Sequence, residues 1–375
     1  MSINSTLKKE GIRVIRQLNT LEINKIASNI SEKICATFPE HQIEQRDLFI
    51  AIARLNMYVA DMPNDLDVAK YFYKNNSIYF SRNLNLSDLN TLAIHECLHF
   101  MQELKDRNGK LLRLGLYNIK DSRNIGISIN EAAVQLMASL STDSQLDSVK
   151  YYNMDFDTTS PDYYPIQTAL LKEMMYFTDS YPLFHSTLYS NDVFKNTFIA
   201  KSSEKTYDSI EYNFDLILRY EELLSQTAQE LDFSAEYDNS IPKLKSLHSK
   251  FNSLKTSILE KTIETQNIII NDCFNAEYNT IKTLDDIKEF QNRLYSFKNV
   301  LIHSDNNNFY NQFYCDMMSA LESKQEFIEK NGPIVLDVQE ELSLTVEFKF
   351  GLNFIKTFYR KFKLLVEERI RAKEL

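Results

Sequence analysis

The chain reads as mainly α with a small β-sheet, an α+β arrangement, on three observations. Glycine and proline are sparse, 6 and 7 in 375 residues, so the breakers that punctuate an all-β chain are missing. Apolar residues recur mostly at three- and four-residue steps, the helical period. One stretch, AKYFYKNNSIYFS at 69–81, instead sets aromatic and β-branched residues on both sides of a Lys-Asn-Asn-Ser turn, which is a hairpin signal.

The elements follow in order. Residues 20–36 and 44–59 both fit amphipathic helices that end before the Pro39 and Pro63 regions. After the hairpin, Ser87 can cap a helix from about Asp88 to Leu104 that carries the sequence IHECLHF. A looser stretch then leads to a helix starting near Ile129 or Asn130 and running through EAAVQLMASL. A polar loop over 142–165 precedes a third helix, IQTALLKEMMYF, which starts just after Pro165.

Near residue 200 the texture changes. SSEKTYDS is a polar joint, and we place a domain boundary there, giving domains 1–200 and 201–375. Beyond it, Leu244, Leu247, Phe251, Leu254 and Ile258 step by three and four, as do Leu284, Ile287, Leu294, Phe297 and Leu301, matching the seams of a helical bundle. Thr283 and Asp286 make a capping pair for the second of these. Leu342 to Phe350 alternates at a strand period, with PIVLDV at 333–338 as its partner, but QEE between them holds no turn signal, so a helix stays open. The final twenty residues read as a terminal helix.

With 43% hydrophobic and 25% charged residues, the chain falls among globular proteins that bury a core without staples. Its formal charge of −10 speaks against a general nucleic-acid binder, which needs clustered Lys and Arg to neutralise phosphates. No segment approaches the roughly 18 apolar residues of a membrane span, and the N-terminus has no apolar h-region; the expectation is a cytoplasmic protein with no membrane partner. Cys35, Cys97, Cys273 and Cys315 are scattered, without a Cys-x-x-Cys pair, and read as reduced thiols.

His95 and His99 are four apart, so on a helix both imidazoles leave one face a turn apart and can meet one metal ion. Glu96 points to the side, where it can act as a base on a water rather than bind metal. A catalytic zinc wants a third protein ligand and an open position. His185, His248 and His303 lie in no motif. Glu131, near the start of the next helix, is the better donor. Zinc, one per chain, is the expected cofactor.

HECLH followed by a separate NEAAVQ helix resembles the gluzincin class of zinc metallopeptidases, typified by thermolysin, over about residues 69–140. That resemblance implies a zincin-like catalytic domain at 1–200, with His95, His99 and Glu131 as metal ligands and Glu96 as the general base of peptide hydrolysis. It also implies Asn130 and Gln135 around the ligands, Gln135 standing where the class often has Asp to orient the first histidine. Ile78, Tyr79, Phe80 and Ser81 would be the edge strand that receives an extended peptide. Such sites usually add a Tyr or His that donates to the oxyanion, and Tyr163, Tyr164 and His185 lie downstream without a spacing that selects one.

Three functions are in view. The first is a zinc metallopeptidase acting on a peptide or protein substrate. The second is a zinc-binding protein that no longer cleaves, whose helical C-terminal half binds a protein partner. The third is a metal-free helical scaffold.

Overall fold

The computed structural model describes residues 7–9, 11–62, 69–84, 91–119, 125–237, 241–304 and 308–334. It is mainly helical with three small sheets. The expected Ser87 cap, the pairing of 333–338 with 342–350 and the terminal helix fall wholly or largely outside the described residues.

The first sheet builds the N-terminal part. Strand β1 (Arg13–Gln17) leads into helix α1 (Thr20–Thr37), which starts at a capping box in which Asn19 Oδ1 accepts from the Leu21 and Glu22 N–H groups and Glu22 accepts from Asn19 N–H at 2.9 Å. Such a cap stabilises a helix by about 1 kcal/mol. Ile26, Ile30 and Ile34 step along the buried face of α1.

The helix expected over 44–59 is shorter. Helix α2 runs Gln45–Ala53, and Asn56–Asp61 forms strand β2, with Met57 and Ala60 fully buried. Strand β2 pairs antiparallel with β1 and parallel with a strand some twenty residues on, a partner that local periodicity cannot see.

The hairpin forms as strands β3 (Ala69–Phe72) and β4 (Ser77–Ser81), in a sheet ordered β1-β2-β4-β3. This order corrects one expectation: Ile78–Ser81 is not an edge. Strand β4 is paired on both sides and buried at Ile78, Tyr79 and Phe80, so among the described residues the edge next to it is β3.

Helix α3 (Thr91–Met101) carries the two histidines and packs against β3. It ends three residues before the expected Leu104, because Glu103–Lys105 (β5) pairs with β6 (Leu111–Leu114), which in turn pairs with β7 (Tyr117–Asn118). Helix α4 (Ile127–Ser141) lies beside α3 and is buried along most of its length. Its small residues, Ala132, Ala133 and Ala138, let neighbouring elements come close.

The polar stretch after α4 is not a loop. Strands β8 (Asp147–Tyr151) and β9 (Met154–Thr158) form a hairpin closed by Tyr152 and Asn153, both left-handed at φ 50° and 63°, as a two-residue turn requires. Short β10 (His303–Ser304) adds to β9. Helix α5 (Pro165–Thr178) begins at Pro165 as expected, and α6 (Ser180–Tyr189) and α7 (Val193–Lys201) follow.

Two long helices come next, α8 (Glu204–Tyr237) and α9 (Ile241–Thr280). They run antiparallel, since Thr206 bonds Asp272 and Asn213 bonds Glu264. Residues 244, 247, 251 and 254 are partly buried along this seam and Ile258 fully so. Helix α10 (Leu284–Ser296) starts at the Thr283–Asp286 capping box, and α11 (Phe309–Asn331) closes the described chain.

One hydrophobic cluster contains buried residues from Leu18 to Ile328, and it crosses residue 200 without a break. Cys97 and Cys273 are fully buried within it, and all four cysteines are free thiols. Among the described residues no helix is long and apolar enough to cross a membrane.

Candidate metal centre

Helix α3 sends His95 and His99 from one face, and their Nε2 atoms lie 2.9 Å apart. Glu131, in the second turn of α4, brings Oε2 to 3.3 Å from His95 Nε2 and 3.4 Å from His99 Nε2. Ligands about 2.0–2.1 Å from a tetrahedral zinc are about 3.3 Å from one another. The three donors are therefore spaced like three corners of such a site.

The outer nitrogens fix the inner ones. The Leu116 backbone N–H can only donate, and it donates to Asn130 Oδ1 at 3.0 Å. That oxygen also accepts from Gln102 Nε2 at 3.1 Å, so the Gln102 oxygen turns to His99 Nδ1, 3.1 Å away. His99 must then carry its proton on Nδ1 and present a lone pair at Nε2. His95 Nδ1 likewise lies 2.9 Å from Gln135 Oε1, which fixes the same tautomer. Two lone pairs facing each other at hydrogen-bond distance call for a proton or a metal cation between them.

The charges agree with this. Burial lowers the His99 pKa, but the Glu131 carboxylate, with Glu96 and the Gln102 hydrogen bond behind it, outweighs burial and carries the imidazole up to about 9. Burial would raise the Glu131 carboxyl, yet the two histidines hold it well below the usual carboxylate range. The donor set thus fits a divalent cation. Glu131 keeps 21% of its side chain exposed and His99 14%, so the centre opens to solvent on that side.

Glu96 accepts the Tyr71 backbone N–H at 2.6 Å, which ties the motif helix to strand β3, and it stays within electrostatic reach of His95, His99 and Glu131. Burial raises its pKa, against the pull of His95, His99 and that N–H. A raised carboxyl pKa suits a group that takes and returns a proton near neutrality.

Of the three oxyanion candidates, Tyr164 stands at the centre. Its ring stacks on His95 at 6.3 Å, and its hydroxyl lies against the Glu131 carboxylate. It holds φ 52° as the residue capping α5, a strained conformation for a bulky side chain. His185 is elsewhere, stacked with His41 and Tyr181 and tilted against Tyr189. Tyr163 offers its carbonyl to the Ser160 hydroxyl.

Gln135 meets His95 directly through its Oε1, while Asn130 acts one step further out, by anchoring Gln102. Gln102 itself carried a signal: it lies three residues after His99, just past the last residue of α3, close enough to meet the histidine ring. Gly115 has φ +53°, and a Cβ there would lie 2.2 Å from Gln102 Nε2 and 2.4 Å from Asn130 Oδ1, so only glycine leaves room for the amide pair. Asp215 on α8 could not be read from local sequence. The Glu131 helix has Gly126 as its N-cap, with no side chain to cap it. Asp215 fills that role from 89 residues away, accepting the Gly126 N–H at 2.7 Å and the Ser128 N–H at 2.8 Å.

No family model matches the chain, and no curated protein or solved structure matches it. The functional reading rests on the site.

Proposed function

We propose that the chain is a zinc-dependent metallopeptidase of the gluzincin type, with His95, His99 and Glu131 as ligands and Glu96 as general base. The observation that carries this reading is the convergence of His95 Nε2, His99 Nε2 and Glu131 Oε2, with both Nδ1 atoms committed to amide oxygens. Zinc, when bound, supplies Lewis acidity toward a water and a substrate carbonyl.

The chain's own residues do the rest. Glu96 takes the proton of the attacking water and delivers it to the leaving amine. The hydroxyl of Tyr164, facing the ligand carboxylate, donates to the oxygen that becomes negative. Edge strand β3 supports an extended peptide beside the motif helix.

Glu96→Gln tests the proposal. The amide oxygen can still accept from Tyr71, so zinc content should be kept while cleavage of a broad peptide library falls by at least about 100-fold.

Two observations favour a second reading. Glu96 Oε2 is already engaged by Tyr71, and the helical half exposes Phe233 at 61% and Phe327 at 54%. A zinc-binding protein that does not cleave, and whose C-terminal helices dock a protein partner, would present both features. A wild-type protein that holds zinc and cleaves nothing in that library would select this alternative.

A further inference from the structure

A second carboxylate lies near the metal centre. Glu221, on α8, accepts from Gln167 Nε2 at 2.5 Å, and Gln167 stands one turn beyond Tyr164 on α5. Among the described residues no lysine, arginine or histidine pairs with Glu221, and burial raises its pKa to about 7 against the Gln167 hydrogen bond.

Three phenols lie within electrostatic reach of it. Burial, then Glu221, pushes the Tyr152 phenol up to about 12; Glu221 also acts on Tyr151, behind burial and Asp162, and on Tyr164, behind burial, Glu131 and Glu96. The Tyr151 and Tyr152 rings are 6.1 Å apart.

The Gln167 amide adds a demand for a donor. Its side chain is fully buried, and its oxygen has no hydrogen-bond partner among the described residues. A carboxyl group without a cationic partner, nearby phenol oxygens and a bare amide oxygen together suit a group with several N–H donors and a positive charge that would hold the carboxyl ionised.

We propose that Glu221, Gln167 and the phenols of Tyr151, Tyr152 and Tyr164 receive an ammonium group of the peptide substrate, from either a free amino terminus or a lysine side chain. The inference rests on the metallopeptidase reading for the substrate class, and its test does not need turnover.

The probes are tetra-alanine amide with a free amino terminus, its acetylated twin, and an acetylated twin with one lysine. Each is titrated calorimetrically into the zinc-loaded Glu96→Gln variant. At least one cationic peptide should bind about 10- to 100-fold more tightly than the neutral twin, as expected for a hydrogen-bonded charge pair. Preference for the free terminus assigns an amino-end substrate, and preference for lysine an internal one. Adding Glu221→Gln should cut the advantage to about threefold or less while neutral binding stays as it was.

In an active wild-type background the same substitution should raise KM for the cationic peptide and leave kcat. If neutral binding also falls, Glu221→Asp decides: a retained cationic preference supports the inference and its loss overturns it. No cationic advantage in Glu96→Gln, or one that survives Glu221→Gln, also overturns it. A cationic preference without any wild-type cleavage would sink the hydrolase reading alone.

Discussion

Glu131 on α4 and Glu173 on α5 are both carboxylates drawn into the protein, yet they are treated in opposite ways. Glu131 lies against two imidazoles and is kept ionised. Glu173 is fully buried at the contact of α5 with α9, where Oε1 accepts from Gln266 Nε2 at 2.7 Å and Ile302 N–H at 2.9 Å while Oε2 has no partner among the described residues. Burial dominates there and raises the pKa to about 8. The contrast separates a place arranged to hold charge from one that tolerates a carboxyl by keeping it protonated. Only the first has the chemistry of a metal site.

The largest expected effect breaks the first half of the comparison. His95→Ala with His99→Ala should reduce zinc from about one per chain to near zero in protein made without a His tag, measured by elemental analysis. In the wild type, His99 loses a proton when metal enters. Its pKa near 9 means that affinity should climb as pH rises toward 9, with about one proton released per zinc at pH 7. A pH-independent affinity would contradict the donor assignment.

Next in size is the other half. Glu173 keeps a proton in the fold that the unfolded chain gives up above its ordinary carboxyl range. Its contribution to stability is therefore complete below about pH 4.5 and is lost as pH rises through about 8. Across that window urea denaturation should show a loss of order a few kcal/mol, and Glu173→Gln should flatten the curve. An unchanged slope in the variant would remove Glu173 as its source.

A smaller effect sharpens what holds the charge. Gln102→Leu removes the acceptor for His99 Nδ1 and should weaken zinc binding about 10- to 100-fold with the melting point little changed. Smallest, Asp215→Asn weakens the cap of the Glu131 helix and should cost about 1 kcal/mol, visible as a drop of a few degrees in Tm. Equal zinc affinity in the Gln102 variant would mean that the tautomer is set by something else.

Features written in local spacing were legible in the sequence: the His95–His99 pair, helices α4 and α5, the Thr283–Asp286 box and the hairpin of β3 and β4. Glu131 was legible as well, because it lies early in the helix that follows the motif. What escaped depends on partners far along the chain. Strand β2 looked helical because its pairing residues lie twenty positions on, and the interior place of β4 follows from that same pairing. The hairpin of β8 and β9 hid behind polar residues with tyrosine and asparagine in the turn, where glycine is the usual sign. Asn130 was named for the ligands, but its partner Gln102 sits 28 residues away, just past the end of α3.

The bare α-carbon of Gly115 makes the placement of one proton on an imidazole depend on a turn that touches no ligand. A side chain there would wedge the two amides apart and leave His99 free to shift to the tautomer protonated on its inner nitrogen, which has no lone pair there for a cation. Such a variant would keep its ligands and much of its shape yet lose its ion, so a survey confined to the ligating residues would score the position as silent.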